Sequence, residues 1–249
     1  MIEVNGISKG FEGRTVLHDV SHRFEKGKVN LIIGGSGSGK TVLMKCLVGL
    51  FEVDSGFISY DGRNFSELDF DGRKPIRREI GMLFQGGALF DSMTVLQNVM
   101  FPLTMLSDMS EAEQIDRANF CLNRVNLPSS NHLYPSEISG GMKKRVAIAR
   151  AIAMNPKYLY CDEPNSGLDP KTSIVIDELI MEITEEYQTT TVINTHDMNS
   201  VMTMGENILF IHKGNKWWSG NSKQILESGN PELDDFIFAG KIMQRLRKS

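Results

Sequence analysis

The run Gly34-Gly35-Ser36-Gly37-Ser38-Gly39-Lys40-Thr41 constrains this chain more than any other feature. It fits the pattern G-x-x-x-x-G-K-[ST] in full. Ahead of it, Val29-Asn30-Leu31-Ile32-Ile33 reads as a buried strand, and Val42 to Leu50 after it has a helical pattern. A Gly-rich loop between a strand and a helix turns backbone N–H groups inward, where they cradle phosphate oxygens. The helix N-terminus adds a partial positive charge. Lys40 is expected to reach the β- and γ-phosphates of a bound nucleotide, and Thr41 to ligate Mg²⁺. Gly34, Gly35, Ser36, Gly37, Ser38, Gly39, Lys40, Thr41 and Val42 are therefore candidate nucleotide-binding residues.

Around this loop the chain alternates strands and helices, which predicts a largely parallel α/β sheet. Ile2–Ile7 and Val16–Phe24 read as antiparallel strands. Gly56 to Tyr60 reads as a strand closed by the Asp61-Gly62 turn, and Ile80 to Phe84 as another strand. From about Gln85 to Ser139 the pattern is helical, with Ser110 as an N-cap ahead of Glu111 and Glu113. Asp169 and Pro170 open a helix whose apolar stripe is Ile176, Leu179, Ile180, Ile183 and Tyr187. Thr190 to Asn194 reads as a strand. Ile208–His212 and Lys216–Ser219 form a hairpin around Lys213-Gly214-Asn215. After Gly220, Asn230 and Pro231 start a helix with Leu233, Phe236, Ile237, Met243 and Leu246 on one stripe. That stripe packs either on its own domain or on a neighbouring subunit.

A second motif, Tyr158-Leu159-Tyr160-Cys161-Asp162-Glu163, buries a strand and releases two acids at its C-terminal end. Ligands of open α/β sheets bind at that end. Asp162 is expected to hold Mg²⁺, and Glu163 to act as general base on an attacking water. A third motif, Ser139-Gly140-Gly141-Met142, opens a helix running to Met154. Its N-terminus is another anion site, suited to a γ-phosphate.

The order of these motifs resembles that of the ABC ATPases over nearly the whole chain. Ser139, Gly140 and Gly141 match the signature sequence of that family. Gln85 matches the glutamine loop, Ser166-Gly167-Leu168-Asp169 the D-loop, and His196 the switch histidine. Phe11 occupies the place of the aromatic residue that stacks on adenine. Ile138 stands where Leu is usual, Met142 where Gln is common, and Asn165 where Thr is common.

The resemblance implies a P-loop fold of ABC type, with ATP and Mg²⁺ as cofactors. Glu163, His196 and Gln85 would be catalytic. Asp169, Phe11 and the signature residues would touch nucleotide, and Thr41, Gln85 and Asp162 would hold the metal. Residues 1–84 and 140–220 would form the ATPase core, 85–139 a helical subdomain, and 221–249 a C-terminal helical extension. One signature and one phosphate loop per chain imply a homodimer working on an integral membrane permease.

The Ser-Gly-Gly-Met form, with Gly87-Ala88-Leu89-Phe90 after Gln85, is similar to the ATPases of Mla/Mce-type phospholipid transport systems. That similarity implies an MCE-domain protein as a further partner. The alternatives are a transport ATPase for a lipoprotein, amino acid or drug, and a soluble ABC ATPase acting on DNA or ribosomes. Gly87 to Leu103 is apolar enough to be either the core of the lobe or a groove for a cytoplasmic permease helix.

Composition narrows the choice. Hydrophobic residues are 41% and charged residues 23% of 249, which are ordinary globular values. A net charge of −4 argues against a nucleic-acid partner. Cys46, Cys121 and Cys161 have no metal or disulfide spacing. No apolar run reaches the roughly 18 residues of a membrane span, and Met1-Ile2-Glu3-Val4-Asn5 does not begin a signal peptide. The expected location is cytoplasmic, peripheral on the inner face of the cell membrane through the permease. Lys143, Lys144 and Arg145 read as a solvated helix face.

Overall fold

The computed structural model describes residues 1–238. It divides into two compact units: Met1–Asp69 with the described residues from Val192, and Phe70–Thr191.

In the first unit, β1 (Ile2–Phe11) pairs antiparallel with β2 (Arg14–Phe24) and with β4 (Ser55–Tyr60). The short β5 (Arg63–Asn64) completes a four-stranded sheet of order β2-β1-β4-β5. Ile2, Val4 and Ile7 of β1 are buried, as are Leu17, Val20 and Phe24 of β2. The five residues of β3 (Val29–Ile33) are all buried, and α1 (Lys40–Leu47) follows the phosphate loop. The buried Asn30 has its polar atoms satisfied: its side-chain oxygen accepts from Glu25 N–H at 2.7 Å, and its amide donates to the Glu25 and Lys28 carbonyls. β9 (Asn207–His212) runs parallel to β3, and β10 (Asn215–Gly220) returns antiparallel to β9.

Among the described residues, the helices of this unit are α7 (Met198–Met204) and α8 (Pro231–Ile237) besides α1. Asn230 caps α8 by accepting from Leu233 N–H. Leu233 and Ile237 are buried, and the Phe236 ring lies 5.6 Å from Phe210. The described part of the C-terminal stripe thus packs on its own chain. Met243 and Leu246 lie outside the described residues.

The second unit contains α2 (Phe70–Arg78), β6 (Ile80–Leu83), α3 (Val95–Leu106), α4 (Glu111–Arg124), α5 (Gly140–Ile152), β7 (Tyr158–Asp162) and α6 (Pro170–Tyr187). β6 and β7 are parallel, with Ile80 opposite Tyr158 and Leu83 opposite Cys161. Reciprocal capping boxes start α3 (Thr94 with Gln97) and α4 (Ser110 with Glu113), each satisfying two orphan N–H groups. Arg124 of α4 bridges Glu182 and Glu186 of α6.

β8 (Thr190–Asn194) straddles the division in sequence. The strand order is β10-β9-β3-β8 in the first unit and β8-β7-β6 in the second. Every residue of β8 is buried.

Candidate functional site

The first unit carries the phosphate loop. Gly34 leaves β3 with φ +149°, and a Cβ there would lie 2.2 Å from the Ile211 carbonyl oxygen. Only glycine tolerates both conditions. Gly39 has no side chain with which to cap α1, so the first turn of the helix has its N–H groups directed into the loop without a side-chain acceptor at the N-cap. Lys40, 8% exposed, folds back and donates to the carbonyls of Gly34 at 2.8 Å and Gly35 at 3.0 Å. The Ser38 hydroxyl is buried and has no hydrogen-bond partner in the protein. An orphaned hydroxyl, a glycine cradle and an ammonium in one loop together fit a phosphate group.

Asn194, His196 and Phe11 lie in the same unit. Asn194, at the end of β8, donates from its amide to the exposed Thr41 hydroxyl at 3.4 Å. His196 is exposed, just past Thr195, whose N–H donates to the Ile32 carbonyl, and just before Asp197, the N-cap of α7. Phe11 ends β1, 39% exposed, with its ring edge-on to Phe51 at 5.1 Å and the Lys9 ammonium 5.3 Å from its centroid. The ring is thus held by an edge-on aromatic contact and a cation over its face, and remains partly exposed.

The second unit carries the acids. Tyr158 to Cys161 are buried in β7, and Asp162 emerges half-buried at its end. Burial pushes the Cys161 thiol up to about 12, so it behaves as a small apolar residue. Glu163 follows with φ +46°. A left-handed non-glycine residue costs on the order of 1–3 kcal/mol and persists only where its surroundings hold it. Here the Glu163 carbonyl accepts from Ser166 N–H at 3.1 Å and from the Lys144 ammonium at 3.3 Å. Its carboxylate accepts from the Gln85 amide at 3.1 Å. Asn165 anchors the same loop to α6 by donating to Asp177 at 2.7 Å.

The signature segment lies in this unit too. Ser139 is the N-cap of α5, accepting from Met142 N–H at 3.2 Å, and Gly140 is exposed at the first helical position. A Cβ on Gly141 would meet the Thr172 methyl at 2.7 Å, so the first turns of α5 and α6 approach closely only because residue 141 has no side chain. Asp169 caps α6, accepting from Lys171 and Thr172 N–H groups and from the Thr172 hydroxyl. The Thr172 hydroxyl is the main reason its carboxyl is held below the ordinary aspartate value.

One expectation is corrected here. The run Lys143-Lys144-Arg145 is not a solvated face: Lys144 is 4% exposed, and Arg145 donates to the Val125 and Asn126 carbonyls. Burial lowers the Lys144 ammonium's pKa, against the opposing pull of Cys161, Glu163 and Asp162. A signal for this was present. Lys144 lies one helical turn before Ala147 and Ile148, which are both buried. Asn194 carries a comparable signal, a polar side chain closing a wholly buried β-branched strand.

Gly87 to Leu103 is core in part and lines an open groove in part. Val95, Asn98, Val99 and Leu103 are buried, while Phe84, Ala88, Phe90, Phe101 and Pro102 help line a groove of about 400 Å³. Arg78 and Arg150 complete its lining, and Arg150 is spent partly on the Gly87 and Ala88 carbonyls. Among the described residues no helix is long and apolar enough to cross a membrane.

Residues 17–166 match the ABC transporter family. The glutamine transport ATP-binding protein GlnQ of Escherichia coli is 39% identical over 235 residues, covering 94% of this chain and 92% of that protein. A probable ribonucleotide transport ATP-binding protein of Mycobacterium tuberculosis is 36% identical over 241 residues, covering 97% of this chain and 67% of that one. A solved dimeric ATP-binding cassette in a post-hydrolysis state with ADP and Pi superposes with TM-score 0.81 at 32% identity, covering 89% of this chain and 99% of that one. The cbiO1 subunit of a Clostridium perfringens ABC transporter complex gives TM-score 0.85 at 28% identity, with 98% of each chain covered.

Proposed function

The chain belongs to the ABC transporter family as an ATP-binding, ATP-hydrolysing subunit, and from that premise we propose that it powers phospholipid transport through a membrane permease. The observation that carries the catalytic part is Glu163. It is a carboxylate just beyond a buried strand, held at its side chain by Gln85, in a chain that also has a complete phosphate loop.

Lys40, the Ser38 hydroxyl and the loop N–H groups bind the phosphates, and Phe11 stacks on the base. Thr41, Gln85 and Asp162 are the oxygen donors assigned to Mg²⁺, and a hard cation favours such donors. When bound, Mg²⁺ neutralises charge on the β- and γ-phosphates. Glu163 accepts a proton from the attacking water as its oxygen bonds to the γ-phosphorus and the bond to ADP breaks. Lys40 and His196 stabilise the charge that develops.

Ser139, Gly140, Gly141 and Asp169 are assigned to the nucleotide of a second copy, which makes the working unit a homodimer. As functional regions, 1–84 and 140–220 form the ATPase core, 85–139 the helical subdomain, and 221–249 the extension. A dimer mixing a Lys40→Ala chain with a Gly140→Asp chain tests the sharing. Both lesions then fall in one site, so the other should trap nucleotide. Trapping no higher than in either parent homodimer would count against it.

The groove beside Phe84, Phe90 and Phe101 is assigned to an apolar cytoplasmic helix of the permease. An MCE-domain protein is the further partner of this reading. Phospholipid as cargo is supported by Ser139-Gly140-Gly141-Met142 and Gly87-Ala88-Leu89-Phe90. The test is to isolate the native complex from membranes and identify its components by mass spectrometry. A polytopic partner with enriched glycerophospholipid is expected. Enrichment of an amino acid or a nucleotide would overturn the cargo and leave the ATPase role standing.

A further inference from the structure

Lys144 is a buried cation with an assigned contact but no assigned purpose. It projects from α5, the helix whose N-terminus is the Ser139-Gly140-Gly141 segment. Its ammonium reaches the Glu163 carbonyl at 3.3 Å. That carbonyl also closes the turn to Ser166, and Glu163 holds φ +46° there. A lysine could reach water from most positions on a helix, yet this one is 4% exposed. Burying a charge carries a desolvation cost, which a single carbonyl contact repays only in part. The contact it makes in exchange is to the backbone of Glu163.

We propose that Lys144 is a positioning residue for hydrolysis: it fixes the backbone of Glu163 in its left-handed conformation, and so the direction of the carboxylate, from the signature helix of the same chain. This rests on the reading of Glu163 as general base. Gln85 grips the carboxylate and Lys144 grips the carbonyl, so the residue is held at both ends. Without Lys144 the Glu163 carbonyl keeps only the Ser166 N–H, so the strained peptide relaxes more readily toward ordinary φ and the carboxylate is aimed less well at its water. Because Lys144 and the signature share α5, displacement of that helix reaches Glu163 through one hydrogen bond. ATP binding by the phosphate loop does not depend on this contact.

The test compares Lys144→Met, which keeps an unbranched stem and removes the donor, with Lys144→Arg, which restores a cationic donor. Steady-state ATPase kinetics and equilibrium ATP titration are run on the same preparations. Lys144→Met should lower kcat by roughly 10–100-fold, the scale of a misplaced catalytic group. It should leave KM and ATP affinity within about 2-fold, as expected for an interaction felt only in the transition state. Lys144→Arg should recover most of the lost kcat. In a Glu163→Gln background, adding Lys144→Met should change residual turnover little, because the group it positions is already gone.

A folded Lys144→Met enzyme with wild-type kcat overturns the proposal, as does equal loss in Lys144→Arg and Lys144→Met. Loss of ATP affinity in step with kcat also overturns it, since that would mark a general structural role. If Lys144→Met does not fold, the Arg variant decides: a kcat equal to wild type with unchanged affinity supports the proposal, and a large loss of both opposes it. Wild-type turnover in Glu163→Gln would instead sink the underlying assignment of the base. A Glu163→Gln enzyme that is inactive beside a fully active Lys144→Met enzyme would sink this inference alone.

Discussion

The phosphate loop and the Glu163 loop each follow a buried strand, yet they are held by opposite means. Gly34–Thr41 is a backbone device. Its shape comes from glycines, one of them pressed against the Ile211 carbonyl, and Lys40 closes it by bonding to carbonyls five and six residues away in sequence. The Glu163 loop is a side-chain device. A non-glycine residue sits in left-handed space, and what keeps it there comes from distant segments: Gln85 from beyond β6, Lys144 from α5, and Asp177 on α6 through Asn165. A backbone device is robust to changes around it but intolerant of a Cβ. A side-chain device is tunable, and it fails when a single remote partner is lost.

The strongest way to break this contrast is at the acid itself. Glu163→Gln keeps the shape and the Gln85 contact surface but removes the base. Turnover should fall by roughly 10²–10⁴-fold while ATP binding persists. Steady-state hydrolysis beside equilibrium nucleotide titration measures both, and unchanged turnover would exclude Glu163 as the base.

Next in size is Lys40→Ala. It leaves the glycine framework intact and removes the charged hydrogen bonds, which are worth roughly 1.5–3 kcal/mol. ATP affinity should therefore drop by about 10- to 150-fold, read by titration with a labelled nucleotide. Affinity equal to wild type would mean that the backbone alone holds the phosphates.

A third change asks whether the signature helix follows backbone or side-chain logic. Gly141→Ala places a methyl 2.7 Å from the Thr172 methyl. Overpacking of this kind costs about 1–3 kcal/mol, seen as a lower denaturation midpoint. Thr172→Ser removes the offending methyl and keeps the hydroxyl that bonds Asp169, so the double variant should regain most of that loss. If it does not, the crowding lies elsewhere.

Met142→Gln should have the smallest effect. The side chain is half-buried, its N–H rather than its sulfur bonds Ser139, and the two residues are similar in length. Stability should stay within about 0.5 kcal/mol, with ATPase activity largely retained. Complete inactivation in folded protein would reveal a specific role for the thioether.

The phosphate loop, its flanking strand and helix, the Ser110 cap, the Asp169 cap with Pro170, the Asp61-Gly62 turn and the hairpin around Lys213-Gly214-Asn215 were legible because each is decided by residues adjacent in the chain. The helix α2 was not. Pro75 interrupts its pattern, and the helix exists with Arg73 and Ile76 buried, a packing that a local window does not contain. The burial of Lys144 was half legible. The helical period places it beside Ala147 and Ile148, but a lysine in a basic run reads as solvated until a carbonyl is found for it.

By itself, the sequence determined the family, the phosphate loop and the identity of the acids. Glycines, caps and strand ends act over a few residues, and their chemistry is written in order. Only the tertiary structure decided how Glu163 is aimed, why residue 141 has no side chain, and that the Asn194 amide meets Thr41. These depend on groups that lie far apart in the chain and meet only when separate elements pack, and a linear pattern carries no distance between them.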